Sequence, residues 1–175
     1  MARSLSIVLV LLVIALSSPA GAQIYLELQG IEQGPIAGGV TDPLEPDTIA
    51  VDTVDWSSSY GLDPQTGQPD GRRTSSLVTF TKLRDPASVP MQRALGEFER
   101  LDVCEFRHYV PDPISGGRVL EMRIRLVDAS LVSQETSIGV LGNEVETWTV
   151  AYKSVVWTYQ PTGEVFEDFV APTAR

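Results

Sequence analysis

Apolar and polar residues alternate with period two along much of this chain. Ile24, Leu26 and Leu28 alternate with Tyr25, Glu27 and Gln29, and Leu120, Met122, Ile124 and Leu126 alternate with Glu121, Arg123 and Arg125. Successive side chains of a strand point to opposite faces, so each run predicts a half-buried strand with its apolar face on a core. Cys104, Phe106 and Val110 share another such face, opposite Glu105 and Arg107. Val78 and Phe80 face one way in a short run that ends at Lys82. The segment Glu144 to Tyr159 differs. Val145, Val155, Trp157 and Tyr159 have one parity, and Trp148, Val150, Tyr152 and Val156 have the other. Large apolar groups on both faces predict a strand covered on both sides, by the core and by a helix or a neighbouring subunit.

One helix is expected. Met91, Ala94, Leu95 and Phe98 fall at i, i+3, i+4 and i+7, with Ser88 placed to cap the start and Pro90 tolerated in the first turn. Gly96 keeps that helix short. Pro43 to Asp47, Gly61 to Thr74 and Pro111 to Gly117 read as loops, none long enough to link two domains. No internal repeat is visible. Several short strands with one helix predict a mainly β domain, a barrel or sandwich with the helix on one flank.

The N-terminus changes the picture of where the protein works. Arg3 precedes an apolar run from Leu5 to Leu16, and Ala20-Gly21-Ala22 supplies small residues at the −3 and −1 positions. This is the pattern of an export signal cleaved after Ala22, leaving residues 23–175 as a single secreted or periplasmic domain. The run falls well short of the roughly twenty residues that a bilayer span needs, and no later run is longer, so no integral membrane segment is expected after cleavage. The chain's net charge is −10, and losing Arg3 makes the remainder one unit more negative. Such a chain repels phosphate backbones, which argues against a nucleic-acid partner. Cys104 stands alone, so no internal disulfide is available and core packing must hold the fold.

Candidate chemistry is sparse. Asp63 to Gly71 resembles a calcium loop only faintly, because Gln65 and Gly67 occupy positions where oxygen-rich ligands belong. His108, the one histidine, shares a strand face with Cys104, but four residues of strand separate side chains by roughly 13 Å, too far for a nucleophile–base pair. One His and one Cys cannot build a zinc site. Acidic residues are plentiful without any pair standing out, and no Gly-x-Ser-x-Gly, His-Glu-x-x-His or phosphate-binding glycine loop occurs. No residue is assigned as catalytic, cofactor-binding or metal-ligating, no cofactor is implied, and the chain reads as a non-enzyme.

The ordered segments resemble the haemolysin-coregulated protein (Hcp) family, the tube protein of type VI secretion systems. The resemblance begins at Ile24-Tyr25-Leu26-Glu27-Leu28 with Gly30 and continues from Ile49-Ala50-Val51 through Trp56-Ser57. It runs on through Phe80-Thr81-Lys82 with Asp85, Ser88 and Pro90, and is sharpest from Glu146 to Tyr152 and Val155 to Tyr159. It implies a β-barrel-like fold of two packed sheets with one short flanking helix. It also implies a non-enzymatic subunit of a homo-hexameric ring, rings that stack into a tube, spike and sheath components as partners, and small effectors in the lumen. Tubes of this family assemble in the cytoplasm and normally lack an export signal, whereas this chain carries one. An exported Hcp-like binding module with no secretion role is the alternative reading.

Overall fold

The structure, a computed structural model, describes residues 22–139 and 142–169, with Arg72 described in its backbone only. The expected export signal therefore lies outside the described residues except for Ala22. The chain forms β1 (Gln23–Gly30), β2 (Gly34–Ile36), β3 (Ile49–Val51), β4 (Thr53–Asp55), β5 (Ser58–Leu62), β6 (Pro69–Ser75) and β7 (Val78–Leu83). After α1 (Ser88–Gly96) come β8 (Arg100–Pro111), β9 (Arg118–Val127), β10 (Ala129–Ile138), β11 (Glu144–Ala151), β12 (Ser154–Tyr159) and β13 (Glu164–Phe169). The fold is mainly β with one short helix, as expected.

Eleven strands share one continuous ladder, in the order β13-β12-β9-β8-β10-β11-β7-β4, with β1 also on β8 and β2 and β3 on β1. β8 is the spine. One of its edges carries β1, from Leu101↔Gly30 to Tyr109↔Gln23. Its other edge carries β10 at Arg100 and Leu101 and then β9 from Glu105 to Pro111. The ladder curls onto itself. Phe80 on β7 and Phe106 on β8 meet edge to face at 5.5 Å although β10 and β11 separate their strands in the ladder. Between the curled layers lie Leu26, Leu28, Ile49, Phe80, Phe106, Leu126, Trp148 and Val150, with Met91 and Ala94 of α1 at the flank.

The alternating faces of β1 and β9 lie as their sequences require: Leu26, Leu28, Ile24, Ile124, Leu126 and Met122 all belong to the core or pack against it. On β8 the alternation holds only to Phe106. A bulge between His108 and Tyr109 inserts one residue against β9, which reverses the parity beyond it. Tyr109 is therefore buried where Val110 was expected, and Val110 is half-buried. The segment Glu144 to Tyr159 is two strands rather than one. β11 pairs with β10 and β7, whereas β12 pairs with β9 and β13. The break at Tyr152 and Lys153 resets the parity, which is why apolar residues fall on both faces of the segment in sequence.

Three further expectations change. Gly61 to Thr74 is not simply a loop: it supplies most of a β5–β6 ribbon, the second sheet of the fold. Its turn is closed by Asp63, whose N–H donates to Gln68 O at 2.8 Å and whose carboxylate accepts from Gln65 N at 2.7 Å. Backbone pairing needs no apolar pattern, so the ribbon left no hydrophobic trace in the sequence. Phe98 does not join the helix's buried stripe. The helix ends before it, and Phe98 takes a left-handed conformation with φ 53° and is 84% exposed. Ser88 does not cap the helix. The N-cap position falls at Ala87, and the Ser88 hydroxyl turns instead into the sheet.

Cys104 is fully buried among core side chains, and burial pushes its thiol up to about 12. Its partners are apolar, so Cys104→Ala removes only a small buried group. The expected cost is about 1–2 kcal/mol, read as a shift in the denaturation midpoint with an unchanged slope. A variant that fails to fold would show that the thiol does more than fill space.

Candidate functional site

Two clusters of charge are built into the interior. The first lies where α1 meets the sheet. Lys82 follows Val78 and Phe80 on the inward face of β7, so its side chain enters the core and is fully buried. Its Nζ donates to Leu83 O at 3.0 Å, Asp85 Oδ1 at 2.6 Å and Ser88 Oγ at 3.0 Å, and lies 3.0 Å from Glu146 Oε2. Ser88 Oγ also accepts from Asp85 N at 3.1 Å and donates to Glu146 Oε2 at 2.9 Å, to which Trp148 Nε1 donates at 3.1 Å. A serine beside a lysine is the arrangement of some hydrolases. Activation there requires the amine to take the hydroxyl's proton. Here Nζ is engaged in ion pairs with two carboxylates, and Ser88 is itself buried. The cluster is an ion network that joins β7, the 85–88 turn and β11.

The second cluster straps the Pro43 to Asp47 loop onto the barrel. Glu45 is buried, accepting from Arg107 Nη1 at 2.7 Å and from the Tyr109 hydroxyl at 2.6 Å. Arg107 also donates to Glu105 at 2.9 Å and to Glu27. Next to it Arg118 bonds Asp42 and the Tyr25 hydroxyl, with its guanidinium over the rings of Tyr25 and Tyr109 at 5.1 and 5.0 Å. A loop that reads as solvated in sequence is thus held by two arginines of the β8–β9 hairpin.

The residues weighed for catalysis and metal binding are not brought together. Cys104 is sealed in the core, while His108 is partly exposed with Nδ1 3.4 Å from Glu121 Oε2. Asp63 uses its carboxylate inside its own turn. Among the described residues no group of three or more His, Cys, Asp and Glu is placed to hold a metal ion.

What the fold offers outward is apolar surface at a sheet edge. β13 ends the ladder, and Val165, Phe166 and Phe169 on it are 59–68% exposed. Trp157, opposite Phe166 on β12, is covered by Trp56 at a ring separation of 4.9 Å. The β5–β6 ribbon leans on the same edge through an Arg73–Asp168 ion pair, and exposes Tyr60 and Leu62. A two-stranded ribbon alone is marginally stable, and an apolar edge strand left open invites pairing with another chain. Phe166 shares a face of β13 with Asp168, which the ribbon holds, whereas Val165 and Phe169 face the other way, so the edge strand is apolar on both faces. Sequence reasoning found Trp157 from its parity but missed β13 and the ribbon, whose exposed aromatic residues follow no buried alternation.

A family profile described as "Type VI secretion system effector, Hcp" matches residues 25–159. The chain belongs to this family. Its Hcp relatives include the "Major exported protein" of Pseudomonas aeruginosa, 28% identical over 167 residues, covering 86% of this chain and 96% of that protein. Among solved structures, Hcp1 from the E. coli EAEC 042 pathovar superimposes with a TM-score of 0.78 at 23% identity, over 85% of this chain and 99% of that one. The secreted protein Hcp3 from Pseudomonas aeruginosa gives 0.68 at 20% identity, over 86% and 99%. The matched span covers the Lys82 network and stops at Tyr159, before β13.

The Lys82 network yields a test. Lys82→Met leaves Asp85 without its cation and Glu146 with only Arg84 Nε at 3.8 Å, and should cost about 3–5 kcal/mol. Burial pushes the Glu146 carboxyl up, but hydrogen bonds from Lys82, Trp148 and Ser88 and the charge of Lys82 outweigh it and hold the group below its ordinary 4.5. A depressed carboxyl contributes stability that is fully present above that value and is lost as the pH falls through the folded one. Glu146→Gln should therefore be less stable than wild type at neutral pH, with the gap narrowing below 4.5. Urea denaturation across a pH series measures both effects, and a gap that stays constant through the acid range would assign the loss to packing alone.

Proposed function

We propose that the chain, after cleavage behind Ala22, is a single-domain, non-enzymatic structural subunit that closes into a homo-hexameric ring of a type VI secretion-like system, with a lumen able to carry small effectors. The observation that carries this reading is the apolar edge strand β13, with Val165, Phe166 and Phe169 standing open at the end of the ladder. Ring closure through such a surface removes the edge from solvent in every subunit at once. The buried charge networks support the same role, since they fix the strands rather than present reactive groups. The export signal puts the site of action outside the inner membrane, as a secreted or periplasmic ring.

Assembly has to overcome repulsion, because each subunit carries a net charge of at least −10. Salt screens that repulsion, the Debye length falling from about 10 Å at 0.1 M to about 3 Å at 1 M, and leaves apolar contact in place. Light scattering of the mature protein should give a six-subunit mass that persists or grows with salt. Phe166→Asp should give a folded monomer. Rings that dissolve in salt would assign the contact to ion pairs instead, and a wild-type monomer at every salt concentration and micromolar protein would favour the exported binding module. Mass spectrometry of protein from the native host should find Gln23 at the N-terminus, and an intact Met1 or Ala2 on exported material would remove the cleavage.

A further inference from the structure

A cleft between α1 and the β10–β11 pair has no part in the ring reading. Along that pair Gln134 lies opposite Trp148 and Thr136 opposite Glu146. Residues directly opposite in an antiparallel pair share a sheet face, so two polar residues of β10 lie beside the buried Trp148 and Glu146. Further back on β10, Ala129 and Leu131 are apolar and buried. Where the strand turns polar, a cavity of about 630 Å³ is left beneath the helix. Gln134, Thr136 and Glu146 form its sheet side, and Val89, Gln92 and Arg93 of α1 its helix side.

The two oxygens of Glu146, a residue only 2% exposed, are treated unequally. Oε2 lies 3.0 Å from Lys82 Nζ and accepts from Ser88 Oγ at 2.9 Å and Trp148 Nε1 at 3.1 Å. Oε1 accepts no hydrogen bond, and its one ion-pair contact is Arg84 Nε at 3.8 Å. Among the described residues no fully buried side-chain N or O atom lacks a hydrogen-bond partner, so Oε1 is reached from the cleft. Arg84 does not close the gap, since its Nη1 is taken up by Glu144 and its side chain is 61% exposed. The carboxyl is held below its ordinary 4.5 and is ionised at neutral pH. A nearly buried carboxylate oxygen without a donor is a costly arrangement that a donor from a ligand relieves.

The helix side carries the opposite charge. Arg93 stands one turn after Val89, and its guanidinium has no ion pair or hydrogen bond among the described residues. Its charge reaches Glu99, but that carboxylate is already held by the backbone of Glu32 at 2.7 Å and Gln33 at 2.9 Å. Gln134 donates its amide to Thr136 Oγ1, and Gln92 faces it from one turn beyond Ser88. The charges around the cleft balance: Lys82, Arg84 and Arg93 against Asp85, Glu144 and Glu146. No net charge is selected. The cleft instead separates its needs, with an acceptor lacking a donor on the sheet and a cation lacking a partner on the helix.

We propose that this cleft binds a small amino-acid zwitterion, its ammonium on Glu146 Oε1 and its carboxylate on the Arg93 guanidinium. A lone cation at Oε1 meets the repulsion of Lys82 and Arg84 with nothing to offset it, and a lone anion at Arg93 leaves Oε1 without a donor. A ligand with both ends answers both groups. Guanidinium and carboxylate match in a two-pronged, charge-assisted pair, and the amides of Gln92 and Gln134 flank the span between the ends. Being neutral overall, such a ligand is not repelled by a chain of net charge −10.

Calorimetric titration of the mature full-length protein with glycine, 4-aminobutyrate and 6-aminohexanoate tests the site and measures the spacing of its two ends. At least one of the three should bind, with acetate and methylamine at least tenfold weaker. Arg93→Ala, at an exposed helix position, should weaken that binding at least tenfold and leave the melting temperature at the wild-type value. The indole N–H resonance of Trp148 should shift on saturation, because it donates to the same carboxylate. Unchanged affinity in Arg93→Ala, or a silent Trp148, would place the ligand elsewhere and overturn the proposal. So would the absence of binding by all three amino acids at millimolar concentration. Glucose binding as tightly as the best amino acid would overturn it in favour of a hydroxylated ligand. None of these readings depends on the oligomer's mass, so the site and the ring stand or fall separately.

Discussion

An ammonium buried beneath a helix holds this fold in register. Lys82 Nζ meets a backbone carbonyl, two carboxylates and a serine hydroxyl contributed by β7, the 85–88 turn, the start of α1 and β11. A buried charge pair adds little net stability compared with a well-packed apolar pair, but it tolerates almost no displacement, since a lost partner leaves an ion stranded in a low dielectric. The network therefore acts less as glue than as a locating pin. It sets where α1 lies on the curled sheet, and with Trp148 donating to the same Glu146 oxygen it also sets the depth of the largest aromatic in the core.

The arginine cluster does the corresponding work on the other flank. Arg107 and Arg118 project from neighbouring strands of one hairpin and hold Glu45 and Asp42 of a loop that has no ladder partners of its own. The hydrogen bonds around Arg107 and its nearby carboxylates hold its charge against the cost of burial. Ionic contacts thus position the two segments that the sheet cannot reach, the helix and the loop. Apolar packing fills the space between them. Both charge clusters keep the curved ladder rigid.

The sequence was most legible where one strand has one wet and one dry face. β1 and β9 could be read almost residue by residue. Legibility failed where a local feature reset the period. The bulge after His108 moved burial from Val110 to Tyr109, and the break at Tyr152 and Lys153 made two strands resemble one two-faced strand. Polar core residues were hidden for a different reason. Lys82 and Glu45 look like solvent-exposed residues until Glu146 and Arg107, each more than sixty residues away in sequence, are brought alongside. The surface was the least legible part. Phe98 has the spacing of a buried helical residue yet is exposed, and β13 carries exposed aromatic residues that follow no buried alternation. The family resemblance spanned this gap because it compares ordered segments, not burial.

Cys104 gives the molecule an internal clock. Electrophiles attack the thiolate, and a thiol held near 12 in a closed core supplies almost none at neutral pH. Burial also keeps it out of reach of dithiol oxidants and of glutathione. A maleimide or iodoacetamide adduct can form only while β8 is parted from its neighbours. The rate at which such a label accumulates on the folded protein thus counts opening events of the barrel's central strand, without any engineered reporter.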